Sequence, residues 1–78
     1  MHQPFIFPNG NGITSATQLG ESIKRKRQYD GLTQQELAEI SGVGMRFLSE
    51  LENGKATVQL DKVLVVLANL GLKISIGQ

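Results

Sequence analysis

The stretch from Thr33 to Gly54 constrains the fold more than any other part of this chain. Thr33-Gln34-Gln35-Glu36 has the form of a capping box, in which a hydroxyl and a carboxylate each satisfy a backbone N–H left free at a helix start. The helix it opens carries Leu37, Ala38 and Ile40 and is short, because Gly42 breaks it. Val43-Gly44 leads into a further helix from Met45 to Asn53, with Leu48 and Leu51 three residues apart and Gly54 placed for a left-handed C-cap. Each position has a physical reason. The small Ala38 lets the first of these helices cross closely over the second, Gly42 takes the positive φ of a tight turn, and the apolar positions bind the pair to the rest of the chain. The spacing is that of a helix-turn-helix. Its second helix projects its N-terminal half, a shape that suits the width of a DNA major groove.

The flanking sequence supplies the rest of an all-α domain of four to five helices. Ser15-Ala16-Thr17-Gln18 is a second capping box and predicts a first helix of about 14 residues, with Leu19 and Ile23 on one face and Asp30-Gly31 as its stop. A last helix follows from Leu60, Val63, Leu64, Leu67 and Leu70, which repeat at three and four, with Asp61 near its positive start and Gly71 at its end. Val65, Val66 and Ala68 widen its apolar surface beyond a single stripe, and Leu72-Lys73-Ile74-Ser75-Ile76 alternates with the period of a strand that has no second strand to pair with. Together these predict a homodimer joined through Val65, Val66, Leu72, Ile74 and Ile76, the C-terminal strands pairing across a two-fold axis. The expected organisation is an N-terminal arm over residues 1–14, a helix-turn-helix domain over 15–71 and a dimerisation strand over 72–78. Phe5-Ile6-Phe7 in the arm, bounded by Pro4 and Pro8, reads either as a pairing strand or as a tail without fixed structure.

Composition narrows the function. At 78 residues the chain has room for one small core, which rarely supplies more than roughly 3 to 5 kcal/mol. Cysteine is absent and His2 is the sole histidine, so disulfides and an ordinary zinc site are excluded and oligomerisation is the reinforcement that remains. The same poverty leaves no nucleophile and base at a defined spacing, and Gly10-Asn11-Gly12 lacks the context of a phosphate loop, so no enzyme and no cofactor are expected. The longest strictly apolar run, Val63 to Ala68, is far short of the roughly 20 residues that span a bilayer. With no basic, apolar leader at the N-terminus, a cytoplasmic, nucleoid-associated location is expected. Net charge is only +1, but half of the basic residues form the run Lys24-Arg25-Lys26-Arg27.

Through LTQQELAEISGV, the ELENGK segment and the closing LANLGL, the chain resembles the Xre/Cro-like helix-turn-helix proteins over roughly residues 15 to 72. ITSATQLGESI, SGVGMRFLSELENGKATVQLDKVL and the alternating residues after LGL make it most similar to the HipB-type antitoxins. The resemblance implies a homodimer that represses its own operon at palindromic operator DNA and binds a HipA-type serine/threonine kinase toxin. Matched by position, Met45, Arg46, Ser49 and Glu50 fall where the family reads bases. Arg46 can grip guanine O6 and N7 with two hydrogen bonds; Glu50 reads either as an acceptor from cytosine N4 or as a surface charge. Gln34 falls where the family contacts a phosphate and braces the next helix, its bland alternative being a solvated helix start. Lys24, Arg25, Asn53 and Lys55 are further phosphate candidates, and Lys26 is expected to lay its stem inward. Arg27 and Glu52 match a structural ion pair of the wider family. Two positions depart from its pattern: Gly44 replaces a polar cap, and Phe47, in place of a small polar residue, reads as packed or as pressing on a thymine methyl. Readings that keep the fold but change the function are a stand-alone phage-type repressor and a protein-interaction module without specific DNA binding.

Overall fold

A computed structural model describes residues 12–74 of the chain. Residues 1–11 and 75–78, and with them Phe5-Ile6-Phe7 and Ile76, lie outside the described residues. Four helices follow one another: α1 (Ala16–Tyr29), α2 (Gln34–Ser41), α3 (Met45–Glu52) and α4 (Leu60–Asn69). No strand occurs among the described residues.

Helix boundaries follow local chemistry. The Ser15 hydroxyl accepts from Gln18 N–H at 3.1 Å, but the Gln18 side chain takes its reciprocal hydrogen bonds from the Thr14 N–H and hydroxyl, one residue earlier than a full capping box requires. At α2 the box closes: Glu36 N–H donates to the Thr33 hydroxyl at 3.0 Å and Thr33 N–H to the Glu36 carboxylate at 2.8 Å. These bonds hold the Glu36 carboxyl below its ordinary pKa, the backbone N–H of Thr33 being the larger cause. Gly42 then adopts φ 66° and ψ 31°, which lets Val43 N–H reach back to Ala38 C=O at 3.0 Å and turns the chain sharply into α3. Gly44 begins α3 without a side-chain cap.

Ile23, Leu37, Ala38, Leu48, Leu51, Val63, Val66, Leu67 and Leu70 form one core drawn from all four helices. Each large aliphatic among them contributes about 1.5–3 kcal/mol on burial. Helices α1 and α3 approach closely: a Cβ on Gly20 would overlap the Leu51 carbonyl oxygen and lie 2.8 Å from that of Glu52. Only hydrogen fits there. Asn69 joins α4 to α2 by donating to the Ser41 hydroxyl at 3.2 Å.

One of the C-terminal expectations needs correction. Val66, assigned above to a dimer face, is fully buried in the protomer's own core, because it lies on the same side of α4 as Val63 and Leu70. Leu72 packs on that core as well, its N–H returning to Leu67 C=O at 2.8 Å to close the helix end. The described part of the alternating segment, through Ile74, has no strand assignment within the chain. Val65 and Ile74 are exposed, as are Leu60 and Leu64, so an uncovered apolar face does exist on α4.

Candidate DNA-binding face

Helix α3 is buried on one side and open on the other. Leu48, Leu51 and Glu52, at the i, i+3, i+4 spacing of a single face, are buried, whereas Met45 is exposed and the Arg46 side chain is 91% exposed. Ser49 and Glu50 are half-buried at the flank of the open face, and Asn53 continues it, donating from its amide to Ser49 C=O at 2.9 Å. The predicted base-reading residues thus lie along one accessible side of a helix whose other side is fixed in the core.

The fixing is partly polar. Arg27 donates to both Glu52 carboxylate oxygens, at 2.7 Å from Nε and 3.0 Å from Nη2, and its remaining Nη1 reaches Leu32 C=O at 2.8 Å. Both side chains are nearly excluded from solvent. Gln34, at the start of α2, donates to the same carboxylate at 3.2 Å. One carboxylate on α3 therefore ties together α1 and α2, and Arg27 adds the loop between them. Paired in this two-pronged way a buried charge is tolerated; with either partner removed, the other is left uncompensated. Of the two roles expected for Gln34, the bracing of α3 is visible in this bond.

The candidates for phosphate contact are dispersed around this core. Lys24, Arg25, Gln28 and Asn53, with Thr17, Glu21 and Glu52, line an open groove of about 480 Å³ where α1 meets the C-terminal end of α3. Arg25 pairs with Glu21 at 3.3 Å across one helical turn, while Lys24 has no ion pair among the described residues. Lys26 turns away from this set: it is mostly buried, bonds Asp30 at 2.6 Å and lies over the Tyr29 ring. Lys55 pairs with Glu50 at 3.3 Å.

Sequence reasoning left some of this face unread. Phe47 packs against the core, as the packing alternative had it, and Lys62 of α4 sits 5.6 Å from its ring centre, a contact nothing in the α3 sequence announces. Gly20 was passed over. Its signal was a glycine inside a helical run at the spacing of Ile23 and Arg27, the side that meets α3. Among the described residues no group of three or more His, Asp or Glu side chains is placed to hold a metal ion.

Two short helices at a glycine turn, the second anchored on one side and open on the other, define a helix-turn-helix DNA-binding domain. The chain belongs to the helix-turn-helix family HTH_3, whose family model matches residues 23–76. It is 44% identical over 64 residues to an uncharacterized HTH-type transcriptional regulator, y4mF, of Sinorhizobium fredii, covering 82% of this chain and 84% of that protein. To the antitoxin HipB of Escherichia coli it is 34% identical over 64 residues, 82% of this chain and 68% of the relative. Among solved structures, a HipB–O4 20mer complex superposes with a TM-score of 0.80 at 32% identity, over 87% of this chain and 96% of the other. A HipA–HipB–O2–O3 complex superposes equally well, with the same coverage. These relatives are transcriptional regulators and antitoxins, and the family assignment makes this chain an Xre-like DNA-binding regulator of HipB antitoxin type. No helix among the described residues is long and apolar enough to cross a membrane.

Proposed function

We propose that the protein is a homodimeric repressor of its own operon that also binds and neutralises a HipA-type serine/threonine kinase toxin. The observation that carries this reading is the likeness, over 87% of the chain, to HipB as it is found in a complex with the O4 20mer and in one with HipA, O2 and O3. The exposed side of α3 supports the DNA half: Met45, Arg46, Ser49 and Glu50 are offered to base edges, and Gln34, Lys24, Arg25, Asn53 and Lys55 to the phosphates beside them. The apolar face of α4 at Leu64 and Val65, continued by Ile74, supports a two-fold partner. In such a dimer two α3 helices enter successive major grooves roughly 34 Å apart on a palindrome. The organisation is then residues 15–71 for DNA, with the arm and the C-terminal segment to either side, acting on the nucleoid in the cytoplasm.

A second reading, a stand-alone regulator without a toxin, rests on the 44% identity to y4mF, an HTH-type transcriptional regulator. The test is a mobility-shift titration on the protein's own promoter DNA at two salt concentrations with random competitor, followed by co-purification with any kinase-like protein produced from the neighbouring gene. Competitor-resistant binding with a steep salt slope is expected, since each neutralised phosphate releases a counterion. Binding no tighter than to random DNA leaves an antitoxin that needs its toxin to bind or a protein-interaction module, and the repressor is ruled out if adding the co-purified kinase does not restore specific binding. Operator binding without a co-purifying kinase leaves the stand-alone regulator. For the dimer, Ile74→Asp is expected to yield monomers in sedimentation, and an unaltered dimer excludes that contact.

A further inference from the structure

The most exposed arginine of the α3 face is not alone. Glu50, one turn along, stands between two cations: its Oε2 lies 3.6 Å from Arg46 Nε and its Oε1 3.3 Å from Lys55 Nζ. Lys55 is tied to Glu50 twice, because its backbone N–H also donates to Glu50 C=O at 3.0 Å where the chain leaves α3. The backbone of Lys55 is therefore fixed beside Glu50, and its half-exposed side chain reaches back to the carboxylate. The carboxylate is one-third exposed, whereas the Arg46 side chain is 91% exposed.

Two features of this arrangement determine what Glu50 can do. A carboxylate on a face that meets phosphates is repelled by them, so an acid there weakens binding to every DNA alike unless it performs a service that depends on sequence. Both of its oxygens are also next to cations, which leaves cytosine N4 to compete with two charge-assisted contacts. The service is visible in the atoms Arg46 uses. Its ion pair with Glu50 runs through Nε, and Arg46 has no second acidic partner among the described residues to draw off the two terminal nitrogens, the pair that matches guanine O6 and N7. A long side chain held at Nε loses less rotamer freedom when it binds a base.

We propose that Glu50 is a specificity-determining positioning residue, braced by Lys55, that holds Arg46 in the orientation for bidentate guanine recognition while lowering affinity for DNA without that guanine. This narrows the role given to Glu50 above: it stands at the base edges but acts there through Arg46 rather than by reading a base itself. This rests on the DNA-binding reading above.

The experiment selects binding sites from a random duplex library, using the full-length wild type, Glu50→Gln and Arg46→Gln, and measures the affinity of each for random duplex. Wild type is expected to select a guanine at a position that Arg46→Gln no longer specifies. Glu50→Gln is expected to lose about tenfold of the preference at that same position, keep the others, and bind random DNA more tightly. A merely structural role lowers affinity at every position and leaves the preferences as they were. Lys55→Gln, an exposed change that also removes a candidate phosphate contact, is expected to weaken binding to every DNA and, on top of that, to lose part of the preference at the Arg46 position; that selective part decides the matter if Glu50→Gln lowers the melting temperature. The proposal is overturned if Glu50→Gln retains the guanine preference, or if it loses a cytosine at a different position, which makes Glu50 a base reader. If wild type selects no site at all, the DNA-binding reading itself fails, an outcome distinct from a selected site that ignores Glu50.

Discussion

The two faces of α3 are built by opposite rules. On the inner face every group has a fixed partner: Leu48 and Leu51 fill the core, and Glu52 is held by Arg27 and Gln34. On the outer face the backbone starts without a side-chain cap at Gly44, Met45 is uncovered, and Arg46 has a single long ion pair to a neighbour one turn away. The inner face is where stability resides, and the outer face carries little of it. A recognition helix needs this division, since side chains that contribute to folding are not free to exchange their contacts for bases.

The strongest way to break the comparison is to remove the buried pair. Arg27→Ala strands the Glu52 carboxylate and is expected to cost about 3–5 kcal/mol, as much as a core of this size supplies, so the variant is mostly unfolded in a thermal melt followed by circular dichroism. A melt like that of the wild type shows that the inner face is not the anchor. Gly20→Ala forces a methyl against the Leu51 and Glu52 carbonyls and is expected to lower stability by about 1–3 kcal/mol or more, read from the denaturant midpoint.

Smaller effects lie further from the inner face. Thr33→Ala removes the α2 cap at a cost of about 1 kcal/mol. The same box shapes the response to acid. Because the Glu36 carboxyl in the folded chain sits below its ordinary pKa, its contribution is complete above the ordinary value and disappears as pH falls through the folded one. Thr33→Ala keeps the backbone N–H that is the larger cause and so retains most of this dependence, whereas Glu36→Gln is expected to flatten that part of the stability–pH curve; an unchanged acid limb in Glu36→Gln excludes the capping carboxylate as its source. Gly44→Ser gives α3 a side-chain cap and is expected to add only a few tenths of a kcal/mol. A gain as large as that from a core substitution places stability on the outer face after all.

How much of this was legible in the sequence depends on range. Helix limits were, because caps and turn glycines act on residues within one turn: Thr33 with Glu36, and Gly42 with Val43 and Ala38, behave as the local pattern implies. The open side of α3 was legible too, from the apolar spacing of Leu48 and Leu51. What failed was non-local. In the run Val63 to Ala68 every residue is apolar, so periodicity cannot tell which valine turns inward, and Val66 was placed on the wrong side. The Gly20 contact with α3, the Lys62 contact with Phe47 and the Asn69 bond to Ser41 each join residues that only packing brings together. Glu50 was legible as part of the face but not in its role, since its two cations come from opposite directions along the chain.

The most direct measurement of the division between the faces takes one preparation of Arg46→Ala and determines both its melting temperature and its affinity for the promoter DNA. A melting temperature equal to that of the wild type, with operator binding weakened by about 1–3 kcal/mol per half-site, is the expected result. Unchanged operator binding, or a loss of binding matched by a loss of stability, contradicts it.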